Sequence, residues 1–383
     1  MTVFAAALAA VALSLAVWSY AIYPPIIRRL ARRVASDPDL AGASASGSRP
    51  SVEVLVSAAD EERVIGERVR NLLDQAVDGD YRISIGCDGS ADRTAALARE
   101  AGGARVVVRE FPERRGKANV LNDLVAGSNA EVLVFTDANT RFEPGAVRAL
   151  CAALDSTGAG AACGRLILET SDGAESPESA FWDRETELKE AEGRLGVCLG
   201  ANGAIYAVRR RQVPVLPPDT TSMDDFLIPL GVLRRGGAVV FAPDAVAREG
   251  AGRDARAETS RRFRIGVGAA QVLRRETWLW NAARRPLLSF VFLSRKAARW
   301  LAPLLFLVSA AAALGSPALR LAGGGVLLLA ALAASSVRLG FRSRAGAAGA
   351  LYYFAVINLA LAAGVAAGLA GYSRAAWKPV ARS

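Results

Sequence analysis

Histidine is absent from all 383 residues. Its absence removes Ser–His and Cys–His nucleophiles, His-liganded zinc and imidazole acid–base chemistry. Any proton transfer falls to carboxylates, lysine, tyrosine or cysteine. Cysteine is scarce: Cys87, Cys151, Cys163 and Cys198 show no CxxC spacing, which fits a reduced, cytosol-facing domain rather than a disulfide framework. The glycine motifs that cradle phosphates in dehydrogenases and P-loop proteins are missing as well. Acidic residues are missing from 277–383, where 12 Lys and Arg face no Asp or Glu.

What is present is apolar surface and an uneven charge. Hydrophobic residues make up 52% of the chain, its mean hydropathy is +0.24 and its formal charge is +10. Residues 1–50 carry five Arg and two Asp, while 51–276 carry 30 Lys and Arg against 35 Asp and Glu. The middle is mildly acidic and both ends are basic and apolar. A nucleic-acid binder concentrates positive charge on a soluble domain, so no nucleic-acid partner is expected.

Residues 3–22 are uncharged and about long enough to cross a hydrocarbon core. Arg28, Arg29, Arg32 and Arg33 follow the stretch and no basic residue precedes it. This predicts an anchor over 1–25 with its C-terminal side in the cytosol. A basic juxtamembrane segment and polar linker follow over 26–50. From 51 the runs VEVLVSA (52–58), RISIGC (82–87), RVVVR (105–109) and EVLVFT (131–136) alternate with helical stretches such as 61–73 and 91–101. That pattern predicts a Rossmann-like α/β domain over 51–280, with a mostly parallel sheet and ligands at the carboxyl ends of its strands. An interfacial amphipathic helix is expected over 281–299, about three transmembrane helices over 300–372, and a tail over 373–383. Three crossings would leave Arg374, Lys378 and Arg382 outside, against the positive-inside bias, unless one segment is re-entrant. The expected location is the cell membrane, multi-pass, with a cytoplasmic catalytic domain.

Four polar clusters fall at the expected ligand edge: Asp60-Glu61-Glu62, Asp88 to Asp92, Arg114 to Lys117, and Thr136 to Thr140. Asp60, Ser90 and Asp92 also suit helix capping. An acid at the tip of a buried parallel strand, as Asp137 is predicted to be, needs a cationic partner, and a divalent metal carrying a diphosphate is one.

The strings VLVSAADEE, CDGSADRT, RRGKANVLN, VFTDANT, GANGAIYAVRR, SMDDF, GGAVVFAPDAVARE and RRFRI, in this order over roughly 50–280, resemble glycosyltransferase family 2, in its membrane-embedded branch of cellulose and hyaluronan synthases. The resemblance implies a GT-A catalytic domain plus transmembrane α-helices. It implies a nucleotide-sugar donor, usually UDP-linked, with Mg2+ or Mn2+, inversion at the anomeric carbon, and a lipid-linked or polysaccharide acceptor among membrane lipids. Carried over by position, Asp60, Glu61 and Asp88 lie at the nucleotide, and Lys117 with Arg261, Arg262 and Arg264 at the diphosphate. Asp137 and Asn139 occupy the metal motif. Asp225, beside Asp224, takes the place of the catalytic base, and Gly203 and Trp182 lie toward the acceptor.

Three departures stand out. Asn139 replaces the second acid of the DxD motif. Arg261–Ile265 keeps the Arg of QxxRW and loses its Gln and Trp. Asp60 stands where Asn is usual. Plainer readings stay open beside these: Asp224-Asp225 as a helix N-cap pair, Arg261–Arg264 as a contact for anionic lipid, Trp182 as ordinary helix packing, and the whole chain as a catalytically silent nucleotide-binding or scaffold relative.

Overall fold

The computed structural model describes residues 1–34, 50–75, 77, 79–169, 177–250, 255–338 and 347–375. Most of the linker expected over 36–50, Arg342, Arg344, and the tail from 376 with Lys378 and Arg382 lie outside the described residues. The chain divides into two compact units. One holds Met1–Ile26 and Gly252–Ser373, the other Ile27–Ala251 together with Arg374–Pro379.

An unbroken helix of 33 residues opens the chain, made of α1 (Thr2–Val17), a π turn (Trp18–Ile22) and α2 (Tyr23–Val34). The α/β unit then alternates β1 (Val52–Ala58), α3 (Ile65–Leu73), β2 (Tyr81–Asp88), α4 (Thr94–Gly102), β3 (Val106–Phe111), α5 (Lys117–Gly127) and β4 (Val132–Asp137). It continues through β5 (Arg141–Phe142), α6 (Ala146–Thr157), β6 (Ala161–Glu169), α7 (Pro177–Arg194), β7 (Tyr206–Arg209), α8 (Asp224–Arg234) and β8 (Val239–Gly250). The eight strands form one sheet in the order β3-β2-β1-β4-β7-β6-β8-β5. Strands β1 to β4 pair in parallel, as does β6 with β8, while β7 runs antiparallel to both its neighbours and β5 antiparallel to β8.

The parallel half is covered on both faces, so β1 and β4 read as continuous β-branched runs rather than alternating ones. Glu53 is the exception inside β1. Its buried carboxylate accepts the hydroxyls of Ser84 and Ser128, each at 2.5 Å, which offsets its desolvation. The chain reverses direction across the sheet between β1 and β4, and β1, β2 and β4 all end at this edge, where open α/β sheets bind ligands.

The other unit is helical. After α9 (Ala255–Arg275) come α10 (Pro286–Val291), a π turn (Phe292–Ala297) and α11 (Ala298–Ala313), then α12 (Arg320–Arg338) and α13 (Ala347–Leu369). The sequence suggests an interfacial helix over 281–299 and a separate span from 300. In the structure one run of 28 residues, Pro286–Ala313, covers both. Pro286 starts it at a first-turn position where a missing N–H costs nothing, and no glycine or proline interrupts it before Pro303. Among the described residues, three helices are long and apolar enough to cross a membrane: Thr2–Val34, Pro286–Ala313 and Tyr352–Leu369. Arg320–Ser335 is a shorter apolar helix.

Within this unit the Ser309 hydroxyl donates to the Ala5 carbonyl at 2.8 Å, and Arg299 Nε donates to Ser19 Oγ at 2.9 Å. Helices α9 and α13 approach so closely that a Cβ on Gly266 would sit 2.4 Å from the Leu361 carbonyl oxygen. Small residues permit such backbone approach between apolar helices.

Candidate active site

At the carboxyl edge of the parallel strands, two loops lock together. Asp60, two residues past β1, accepts the Ala91 N–H at 2.9 Å and pairs with Arg114. The Glu61 N–H donates to Thr94 Oγ1 at 2.8 Å, and the Glu62 N–H to Asp92 Oδ2 at 3.1 Å. Asp60 and Ser222 have φ of 55° and 50°, the positive-φ non-glycine residues among those described, and both flank this edge. Strain of that kind persists only where the surroundings enforce it.

Asp88 closes β2 and is almost wholly buried. Its two carboxylate oxygens accept the backbone N–H groups of Arg115 at 2.6 Å and Gly116 at 2.8 Å. It therefore pins the Arg114–Lys117 loop against the sheet. Gly116, with φ 88°, precedes α5, and a Cβ there would collide with the Ala375 carbonyl oxygen at 2.4 Å. The backbone of Arg374 meets the Thr221 hydroxyl, as donor and as acceptor, at 3.2 Å each. Residues 374 and 375 thus lie along the rim made by Gly116 and Thr221.

Lys117, the first residue of α5, places its ammonium between two carboxylates, 2.8 Å from Asp137 Oδ1 and 2.9 Å from Asp224 Oδ2. Burial alone would lower its pKa, but Asp137 and Asp224 outweigh that and hold it raised. Asp224 and Asp225 form the first turn of α8, and Met223 is the N-cap. Neither aspartate caps the helix, while both gain from its positive end. The Asp225 carbonyl accepts the Ala201 N–H at 2.8 Å.

Between β6 and β7 the chain turns through Asn202–Ile205, closed by the Ile205 N–H on the Asn202 carbonyl at 2.9 Å. Gly203 faces the site. A Cβ at this position would lie 3.6 Å from Asp137 Oδ2 and 3.6 Å from Asp225 Oδ2. One face of this turn therefore lies in contact range of both carboxylates predicted for metal and base.

Asn139 donates its side-chain amide to Glu249 Oε1 at 2.6 Å. Among the described residues, no three His, Cys, Asp or Glu side chains gather into a cation site. Asp137 keeps Oδ2 toward Gly203 while its Oδ1 pairs with Lys117.

Trp182 is half-buried on α7, its ring 5.8 Å from the Lys189 ammonium. Arg261, Arg262 and Arg264 belong to α9 in the helical unit. There Glu258 pairs with Arg261 at 2.7 Å and with Arg262 at 2.6 Å. Burial would raise the Glu258 pKa, but the two guanidinium groups override it and bring it down to about 2.

Residues 53–211 match the family profile described as Glycosyl transferase family 2. Two curated relatives, each a beta-monoglucosyldiacylglycerol synthase, match this chain over 100 residues. The protein of Trichormus variabilis is 34% identical and that of a Nostoc species 33%. The match takes in 25% of this chain and 21% of each relative. This chain therefore spans about a fifth of the length of those proteins. Among solved structures, the mannosyltransferase PcManGT from Pyrobaculum calidifontis, in complex with GDP-Man and Mn2+, superposes with a TM-score of 0.64 at 20% identity, over 94% of this chain and 99% of that one. This shows a shared fold, the GT-A type of mixed α/β sheet. The matched segment contains Asp60, Asp88, Lys117, Asp137 and Gly203, whereas Asp224 and Asp225 follow its end.

Sequence reading missed the residues that hold this domain's floor. Arg68, buried on α3, donates to Thr136 Oγ1 at 2.5 Å, and Thr136 donates to the Ala204 carbonyl at 2.6 Å. Nothing in the local pattern IGERVRNLL marks Arg68 as different from a surface arginine.

Proposed function

We propose that this chain is a membrane-associated, inverting glycosyltransferase. It moves a sugar from a UDP-linked donor to a lipid-linked or glycan acceptor, with the α/β unit in the cytosol. The observation that carries the reading is the convergence of Asp137 and Asp225 on Gly203, with Lys117 paired to Asp137.

In this reading Asp225 takes the proton of the acceptor hydroxyl as the donor's anomeric carbon is attacked. No covalent intermediate is needed, which suits a chain without histidine. The diphosphate leaves with growing charge, and Lys117 stands where it neutralises that charge without rearranging. Mg2+ or Mn2+ bound by Asp137 and Asn139 would add positive charge against the same leaving group. Asp60 and Glu61 border the nucleotide, and Asp88 acts by fixing the loop that carries Lys117. Arg261, Arg262 and Arg264 are assigned to the diphosphate, and Trp182 with Gly203 to the acceptor. The glycolipid-forming activity in the names of the curated relatives favours a diacylglycerol-type acceptor in the membrane.

The test is release of nucleoside diphosphate by the purified full chain in lipid, with Mn2+ and a panel of nucleotide sugars. Release from a UDP-sugar, abolished by Asp225→Asn, is the expected result. UDP binding without turnover across the whole panel would instead favour a silent nucleotide-binding relative.

A further inference from the structure

The turn that bears Gly203 is bound to both sides of the site. Its Ala201 N–H reaches the Asp225 carbonyl, and its Ala204 carbonyl receives the hydroxyl of Thr136, the neighbour of Asp137. The placement of Gly203 therefore follows from how the start of this turn is held. That start is Asn202, buried, with its N–H on Cys163 Sγ at 3.3 Å and its side-chain amide donating to the Gly164 carbonyl at 2.7 Å.

A buried cation completes the attachment. Lys189, on α7 and only 5% exposed, donates from its ammonium to the Ala201 carbonyl at 3.1 Å and to the side-chain oxygen of Asn202. The indole of Trp182 covers another side at 5.8 Å. One turn further along α7, the fully buried Glu192 accepts the Leu199 N–H at 3.2 Å. Helix α7 thus grips the segment 199–202 with one anion and one cation. Burying an ammonium is costly unless its hydrogen bonds are satisfied. Here both oxygens taken up by Lys189 belong to the two residues directly before Gly203.

We propose that Lys189 is a positioning residue for the transfer step. Its buried ammonium sets the height of the Asn202–Ile205 turn, and so the placement of Gly203 against Asp137 and Asp225, the acids assigned to the metal and the base. This rests on the glycosyltransferase reading above. Lys189 touches neither the donor's diphosphate nor the proton that moves. Its loss is felt in the alignment of reacting groups, where a displacement of about 1 Å costs on the order of a hundredfold in rate.

The test compares Lys189→Met and Lys189→Gln with the wild type, as full chains in lipid. Two quantities are read: kcat per UDP-binding site, with sites counted by titration with UDP and Mn2+, and the Kd for UDP. For Lys189→Met the expectation is a kcat per site lowered about thirtyfold, with Kd for UDP within about twofold of wild type. Lys189→Gln, which keeps an N–H donor, is expected to fall between the two. A merely structural lysine gives the opposite pattern, fewer UDP sites with unchanged kcat per site, and that result overturns the proposal. If Lys189→Met does not accumulate as folded protein, Lys189→Gln carries the test alone, and a wild-type kcat per site in it is equally fatal. A wild type that releases no nucleoside diphosphate from any nucleotide sugar defeats the glycosyltransferase reading itself, so the two failures are distinguishable.

Discussion

Asp137 and Asp225, 88 positions apart in the chain, point one carboxylate oxygen each at a single spot, the place where Gly203 has no side chain. The spot lies 3.6 Å from either oxygen, so a methyl group would fit there without a clash. It would also fill the space between the two acids. Gly203→Ala is therefore expected to fold with a Tm close to wild type while kcat falls at least about tenfold. Thermal melts and nucleotide release measured on the same preparation check both halves.

Lys117 offers a separate handle. Without its ammonium, Asp137 and Asp224 face one another uncompensated, and the diphosphate loses a charge-assisted donor. Lys117→Met should raise the donor KM by about tenfold or more, in line with the loss of a hydrogen bond to a charged group. Because the folded pKa is raised, the contribution of Lys117 is fully present below the unfolded lysine value of about 10.4 and is lost only as pH rises through the higher folded value. The wild-type rate between pH 6 and 9 should accordingly show no limb that Lys117→Met removes.

Asp88 distinguishes a fixing role from a base-reading one. An amide keeps one acceptor oxygen and cannot take both N–H groups. Asp88→Asn is expected to destabilise the Arg115–Gly116 loop by about 1–3 kcal/mol and to weaken UDP and GDP to the same extent. Calorimetric titration with each nucleotide tests this, and a loss confined to one base would make Asp88 a direct base contact.

Glu258 carries an acid-side signature. Its folded pKa of about 2 lies below the unfolded value of about 4.3, so its stabilising contribution is present above 4.3 and disappears as pH falls through about 2. Glu258→Gln leaves Arg261 and Arg262 without this partner and should lower the Tm at pH 7. It should also flatten the loss of helical circular dichroism between pH 5 and 2.

The sheet and its carboxyl edge were legible because their signals are local. A strand buried on both faces reads as a β-branched run, and Asp88 and Asp137 close two of those runs. The contacts within that edge were less legible. Asp88 as a sequence position suits contact with a base, and its hold on the Arg115 and Gly116 N–H groups depends on the path of a loop that no local pattern announces. Lys189 lies in ESAFWDRETELKEAE, a stretch whose alternating charges look solvated. Which of its faces is buried depends on β6, β8 and the segment 197–202 closing over it, and no periodicity within the helix announces that. The fusion of residues 286–313 into one helix was hidden for a related reason. Arg295, Lys296 and Arg299 read as an interruption, yet Arg295 is fully buried in the helical unit.

Arg374 and Ala375 follow the last apolar helix and rest on Thr221 and Gly116, within the unit that the chain left near residue 251. A chain that departs from one side of a bilayer and returns to it makes an even number of passages. The two described helices between those points that are long and apolar enough to cross, Pro286–Ala313 and Tyr352–Leu369, would make such a pair, and Arg374 would then stay on the side of Arg28–Arg33. A cysteine at Ser373 in sealed vesicles should then share the labelling of one placed on the exposed face of α4, and the opposite labelling would make the passages odd. With that parity, the segment 374–375 seated on Thr221 and Gly116 would bring the chain back to the side from which it departed.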